Sequence, residues 1–234
     1  TLVTAAVDRT LNHLVRRVLR PEEVSAALET VAAACALDGE QDEQRAVALA
    51  RGLARATGDT ALLRRWLATG RTDQGLALDP GLRWATVRRL AELGDLDAPE
   101  IEAERLRDGT AAGDLGAAAA LAARPRAAAK AAAWAEMTGD ADVSVRRFRA
   151  LADGLWSPAQ RDLVAPYISP YVDAAPALAR RGSAFAEAVG RAFPALPLTA
   201  AELDLFRAAL HGDVPTVLRR QWEDELDDRA PTAS

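Results

Sequence analysis

The stretch 124–137 reads "RPRAAAKAAAWAEM" and contains the only lysine of the chain, Lys130, four residues before Trp134. Alanine is the strongest helix former, so this stretch predicts a helix over 125–138. Alanine side chains let neighbouring helix axes approach closely, and Trp134 fills one gap between them. We expect a tightly packed helix in which Lys130 is a surface or helix-seam charge. The four-residue spacing from Trp134 would also allow a cation–π contact.

The remaining sequence predicts further helices from end to end. Half of the 234 residues are apolar, only 5% are aromatic, and residues typical of strands are sparse. Linkers of two to six residues favour antiparallel neighbours. The predicted fold is therefore all-α, an irregular α-solenoid of antiparallel HEAT-like helix pairs forming one domain over 1–234. The other predicted helices span 2–19, 21–37, 41–57, 59–69, 80–93, 98–107, 112–123, 143–155, 158–181 (broken near Pro166 and Pro170), 183–193, 199–211 and 214–229.

Three sequence patterns mark where helices begin. Asp79-Pro80 and Ser157-Pro158 each combine an N-cap residue with a proline at the first helical position. Thr199 and Glu202 have the spacing of a capping box. These pairs predict helix starts at 80, 158 and 200.

Charge and cysteine content restrict the function classes. The net charge is −5 and the pI about 5.2, so no overall field attracts nucleic acid or an anionic membrane surface. No apolar stretch is long enough to span a bilayer. The single cysteine, Cys35, lies in "VAAACAL" and cannot form an internal disulfide, which favours a reducing, cytoplasmic location. We interpret Cys35 as a small buried hydrophobic residue.

Motifs for catalysis are missing from the sequence. The two histidines, His13 and His211, belong to no H-E-x-x-H pair, and no G-x-S-x-G elbow or P-loop is present. The chain taken alone is therefore not expected to be an enzyme, and no catalytic residue, metal ligand or cofactor is assigned to it.

Arginine doublets recur along the chain, and two interpretations of them stay open. In the first they lie on solvated helix faces with their stems on apolar neighbours. In the second a few line a concave face and bind an anionic group such as a peptide C-terminal carboxylate. Arg83 is unusual because it falls within the apolar face of the helix over 80–94, where an ion pair with Asp79, four residues earlier, would explain it.

Four segments in order resemble a known family: "LDPGLRWATVRRLAELG" (78–94), the alanine-rich stretch 101–137, "GLWSPAQRDLVAPYISPYV" (154–172) and "VPTVLRRQWEDELDDRA" (214–230). Together they resemble the C-terminal helical domain of zinc aminopeptidases of the aminopeptidase N type, the ER-aminopeptidase-like C-terminal domain. The resemblance implies a domain that caps a separate catalytic domain, walls the substrate chamber and restricts access to short peptides. In that family the zinc ion and its H-E-x-x-H ligands belong to the catalytic domain.

Under this resemblance, the candidates for lining the chamber or contacting peptide are Arg83, Arg146, Arg147, Arg180 and Arg181. The expected partners are the catalytic domain of the same parent chain and the peptide substrate, without nucleic acid or membrane. The sequence begins "TLVTAAVDRT" directly on helix-like residues, which favours a piece of a longer protein; its interdomain surface would then be free to dimerise in isolation. The alternative is a stand-alone HEAT-like scaffold that binds a protein or peptide on its concave face.

Overall fold

A computed structural model describes residues 5–6, 9–11, 21–36, 43–139 and 142–229. The all-α prediction is confirmed for these residues, whose only strand-like pairing is an isolated bridge between Arg71 and Ala77. The helix predicted over 2–19 lies largely outside the described residues. In chain order the helices are α1 (Pro21–Ala36), α2 (Glu43–Ala56), α3 (Thr60–Thr69), α4 (Pro80–Glu92), α5 (Ala98–Asp108), α6 (Ala111–Ala123), α7 (Ala127–Gly139), α8 (Val145–Leu155), α9 (Arg161–Val164), α10 (Ile168–Ala179), α11 (Ser183–Arg191), α12 (Ala200–Ala209) and α13 (Thr216–Asp227).

The long helix predicted over 158–181 is divided into shorter pieces. Short 3₁₀ turns, Pro158–Gln160 and Ala165–Tyr167, precede and follow α9, and the second turn contains Pro166 as expected. The break predicted near Pro170 is wrong, because this residue lies in the first turn of α10. A first-turn N–H has no partner within the helix, so proline there loses no hydrogen bond.

Two of the three predicted helix starts carry side-chain caps. The Asp79 carboxylate accepts a hydrogen bond from the backbone N–H of Leu82 at 2.7 Å, and Thr199 and Glu202 form a complete capping box. Ser157 is different: only a 3₁₀ turn begins after it, and its side chain makes no cap. Its hydroxyl donates instead to Glu92 Oε1 of α4 at 2.7 Å.

Small residues on α6 allow two other helices to lie against it. A Cβ added to Gly116 of α6 would lie 2.3 Å from Trp84 Cδ2 of α4. A Cβ added to Gly154 of α8 would lie 2.1 Å from the carbonyl oxygen of Ala119 in α6. The first contact joins the early parts of α4 and α6 and the second joins the late parts of α6 and α8, so the three helices run side by side in the same direction.

This contact pattern extends through the described helices. Each of α2, α4, α6, α8, α11 and α13 packs against the next in that order, and we call these six the inner row. Helices α3, α5, α7, α10 and α12 lie between them along the chain. The buried apolar residues form a larger cluster from α6 onward and a smaller cluster over α2–α6, with a small satellite beneath α1. Helix α6 contributes alanines to both of the first two clusters, so it joins the two halves of the core.

Candidate functional site

The five candidate arginines lie where inner-row helices begin, and we call this side the N-terminal edge. Arg83 is in the first turn of α4, and Arg146 and Arg147 are in the first turn of α8. Arg180 and Arg181 follow α10, directly before α11. The edge therefore combines arginine side chains with the positive ends of helix dipoles.

Arg83 is bound between helices rather than exposed at this edge. Its guanidinium donates to both carboxylate oxygens of Glu104 on α5, at 2.8 and 2.6 Å, and to the carbonyl oxygen of Leu67 on α3 at 3.0 Å. The expected ion pair with Asp79 is wrong, because that carboxylate pairs with Arg51 at 2.9 Å. The Arg83 side chain is only 13% exposed, so it ties α4 to α3 and α5.

The electrostatic environment of Glu104 reflects this pairing. Burial on its own raises the pKa of this carboxyl, but hydrogen bonds from Arg83 and Arg107 outweigh that effect, and the net pKa lies below its usual value. The two arginine partners therefore favour the charged form of Glu104.

The two other pairs of candidates come together. Arg181 donates to the carbonyl oxygen of Val143, just before α8, at 3.2 Å, and its guanidinium lies 4.0 Å from the centre of the Phe185 ring. This contact brings Arg180 and Arg181 beside the first turn of α8, where Arg146 is exposed. Two helix-to-helix steps separate this group from Arg83 on α4, roughly 20 Å at ordinary helix spacing.

The start of α11 supplies further positive potential at the same place. The N-termini of α4, α6 and α8 are capped by the side chains of Asp79, Thr110 and Ser144. Helix α11 instead follows Gly182, which has φ 142° and offers no side-chain cap. Arg180 is paired there with Asp213 at 2.8 Å, but the Asp213 side chain is 96% exposed, and such a pair contributes little. Uncapped N–H groups beside arginines form an arrangement suited to a carboxylate.

The opposite side of the inner row carries a polar cluster that sequence reasoning missed. We call it the C-terminal seam: Arg89, Glu92, Lys130, Ser157 and Gln160, at the ends of α2, α4, α6 and α8. Helix C-terminal carbonyl oxygens have no partner within their own helix and attract cations and N–H donors. Arg89, Lys130 and Gln160 provide these donors, and the Glu92 carboxylate accepts hydrogen bonds from Arg89 and Ser157.

Lys130 is the central member of the seam, and its prediction as a surface charge is wrong. Its side chain is completely buried. Its ammonium group donates to the carbonyl oxygens of Ala122 in α6 at 2.7 Å, and of Gly154 and Leu155 in α8 at 3.2 Å each. The alternative prediction of a helix-seam position is confirmed. The cation–π contact that the spacing allowed is not formed: the ammonium binds these carbonyl oxygens, and Trp134 packs on Tyr167 with ring centres 5.6 Å apart.

Other seam residues bind neighbouring helix ends in the same way. The Gln160 amide nitrogen donates to the carbonyl oxygens of Glu92 in α4 at 2.9 Å and of Ala123 in α6 at 2.8 Å. Arg89 donates to the carbonyl oxygens of Ala56 and Thr57, at the end of α2, and to the Glu92 carboxylate. Two sequence signals mark the seam: a lone lysine among 28 arginines, and the motif "WSPAQ" at 156–160. Both lie in segments that carry the family resemblance, and in the fold both hold helix ends together.

Within the described ranges, no group of three or more His, Cys, Asp or Glu side chains is arranged to hold a metal ion. None of the helices in those ranges is both long and apolar enough to cross a membrane. Cys35 is a buried free thiol, as expected, and burial raises its pKa.

Comparison with known proteins agrees with the four resembling segments. Residues 2–229 match the family described as the ERAP1-like C-terminal domain. A curated relative, Aminopeptidase N of Streptomyces lividans, is 38% identical over 173 residues, which cover 74% of this chain and 20% of the relative. The matched region thus spans about a fifth of that protein's length. Since the family match extends over nearly the whole sequence, the chain belongs to the ERAP1-like C-terminal domain family.

Proposed function

We propose that this chain is the C-terminal region of a zinc-dependent aminopeptidase, which removes N-terminal residues from peptides, and that it performs no chemistry itself. The observation that carries this proposal is the 38% identity to a region forming one fifth of an Aminopeptidase N. The chain would cap the parent's catalytic domain, wall the substrate chamber and limit entry to short peptides. We place the parent in the cytoplasm, in keeping with the single free cysteine.

The packing of the helices supports a role as a wall. Stacked helix pairs in which every second helix contacts the next form curved α-solenoids with an extended concave surface. The successive contacts along the inner row support such an arrangement. A curved wall would exclude folded proteins by size while admitting flexible peptides, which is a gating role.

Zinc chemistry is assigned to the parent's catalytic domain. The described part of this chain does not fit a zinc ion, because it offers no suitable group of ligands. We therefore assign no catalytic step to its residues.

The N-terminal edge is the proposed place of peptide contact. Arg180 and Arg181 directly precede the uncapped start of α11, and Arg181 contacts Val143 just before α8, whose first turn carries Arg146 and Arg147. In this proposal the four arginines receive the C-terminal carboxylate of a peptide. Arg147 also pairs with Glu136 on α7 and so braces this group. Arg83, bound to Glu104, would shape the wall instead of contacting substrate.

Activity measurements test the proposal. The isolated chain with added zinc should release no product from an aminoacyl-anilide, whereas the parent should. Turnover by the isolated chain, or a parent gene without an in-frame H-E-x-x-H upstream of Thr1, would contradict it. A start codon at Thr1 would favour the stand-alone scaffold.

The peptide contact has its own test in the parent enzyme. A double change, Arg180→Ala with Arg181→Ala, should lower kcat/KM for a free-acid peptide about 10-fold relative to the same peptide as a C-terminal amide, because one charge-assisted interaction is lost. Arg220→Ala, an exposed arginine on α13, is the matched control. An unchanged ratio of acid to amide would remove these two arginines from substrate binding.

A further inference from the structure

A cavity of about 230 Å³ lies between α1, α2, α3 and the loop that follows α3. Its walls include the side chains of Cys35, Leu53, Leu62 and Trp66, and exposed Asp73 and Gln74 mark its mouth. It lies among the first helices of the chain, whereas the candidate peptide contacts involve α8, α10 and α11. The proposed function gives this cavity no role.

The walls contain one polar group that lacks a partner. Trp66 is 2% exposed, and within the described residues its indole N–H has no acceptor at hydrogen-bonding distance. Buried indole N–H groups usually find an acceptor, and leaving one unpaired is unfavourable. The side chain therefore presents an unused donor in an otherwise apolar wall.

Asp73 indicates where this donor points and why it stays unused. Arg65 donates to both oxygens of the Asp73 carboxylate, at 3.1 and 2.5 Å. Arg65, and to a smaller degree the Trp66 N–H, hold the pKa of Asp73 below its usual value. The indole N–H is therefore near this carboxylate but beyond hydrogen-bonding distance of it, and an acceptor entering past Asp73 would reach it.

We propose that this cavity binds a compact uncharged molecule with an apolar body and one carbonyl-type oxygen, which accepts the hydrogen bond of Trp66 Nε1–H. The size follows from the volume: an apolar cavity of about 150 Å³ holds benzene, so this one admits on the order of ten non-hydrogen atoms. The charge follows from the surroundings. The Asp73 carboxylate is already paired with Arg65, and the largely apolar walls disfavour an unpaired ion of either sign.

Cys35 provides a local reporter because it is the only cysteine of the chain and it lines the cavity. The experiment measures the rate at which a small maleimide alkylates Cys35, with acetophenone or ethylbenzene titrated up to its solubility. Both probes carry a phenyl ring and a two-carbon substituent, but only acetophenone has a carbonyl oxygen. Both should slow alkylation by occupying the cavity.

The variant Trp66→Phe keeps a ring in place and removes the N–H donor. The measured quantity is the concentration of each probe that halves the alkylation rate. The ratio of this concentration for acetophenone to that for ethylbenzene should rise about 5- to 10-fold in this variant, because only the ketone loses a hydrogen bond. Ala50→Leu, at another wall position, should abolish protection by both probes; circular dichroism checks that each variant is folded. Absence of protection in the wild type, or an unchanged ratio in Trp66→Phe, would overturn the proposal.

Discussion

Replacing Lys130 by methionine should destabilise the fold substantially at pH 7. Methionine preserves the length and apolar stem but removes three hydrogen bonds to the ends of α6 and α8. A hydrogen bond to a charged group contributes about 1.5–3 kcal/mol, so the three together exceed about 4 kcal/mol. The burial of the ammonium opposes them: it lowers the pKa of Lys130 from 10.5 to about 8, a change equivalent to about 3 kcal/mol.

The hydrogen bonds should outweigh the burial, because the variant leaves buried carbonyl oxygens without donors. We expect the free energy of unfolding to fall by about 3 kcal/mol and the midpoint temperature by roughly 6–12 °C. Urea and thermal unfolding followed by circular dichroism measure both. Arg220→Met, which removes an exposed cation from α13, is the matched control and should change stability by less than about 0.5 kcal/mol. A Lys130→Met variant as stable as the wild type would refute this reasoning.

The same lysine predicts a pH dependence with a definite sign. The unfolded chain keeps the Lys130 proton up to about pH 10.5, whereas the folded chain releases it near pH 8. Between these values the unfolded state binds more protons, so the stability of the wild type should increase with pH. Lys130→Met should lack this increase. Equal pH slopes for the two proteins would show that the three carbonyl oxygens keep the ammonium charged and its pKa near the ordinary value.

Further predictions concern the close helix contacts and the other ion pairs. Gly154→Ala should lower the free energy of unfolding by about 1–3 kcal/mol, because the added methyl group would meet the backbone of α6. Gly58→Ala is the control, because a Cβ added there meets nothing within 4 Å. Equal urea midpoints for the two variants would contradict the close approach of α8 to α6. Gln160→Leu should lower the free energy of unfolding by about 1–3 kcal/mol, because it leaves helix-end carbonyl oxygens of α4 and α6 unpaired. Undiminished stability in urea would show that water replaces the amide. Arg83→Met should reduce the loss of stability on acidification. The lowered pKa of Glu104 contributes stability that is complete above the unfolded pKa and is lost as the pH falls through the folded pKa. Identical acid unfolding curves for the variant and the wild type would contradict the pairing.

The alanine-rich helix α7 shows which features a sequence pattern can predict and which it cannot. Its composition predicted a closely packed helix, and α7 is one. The position of Lys130 could not be fixed in the same way, because a lysine stem packs equally well at a solvated surface and within a seam. Whether its ammonium meets water or carbonyl oxygens depends on where α6 and α8 end in space. Those ends are distant in sequence and become neighbours only through packing.

Arginine partners illustrate the same limit. The local spacing of Asp79 and Arg83 favoured a pair within one helix, but in the fold Glu104 of α5 offers both carboxylate oxygens to the Arg83 guanidinium. A two-oxygen pairing of this geometry is stronger than a single contact. The cluster of Arg146, Arg180 and Arg181 likewise exists only because the end of α10 returns to the start of α8.

The helical class, most helix positions, the caps at Asp79 and Thr199 and the family resemblance could all be predicted from the sequence. These features depend on local propensity, proline and cap chemistry, and ordered motifs, all of which act within a few residues. Helix packing sets the contacts of Lys130 and Gln160 with the ends of inner-row helices, and it leaves the Trp66 N–H without an acceptor among the described residues. Burial and hydrogen-bond partners across helices depend on how small residues such as Gly154 let helix axes approach, and no local pattern specifies that distance.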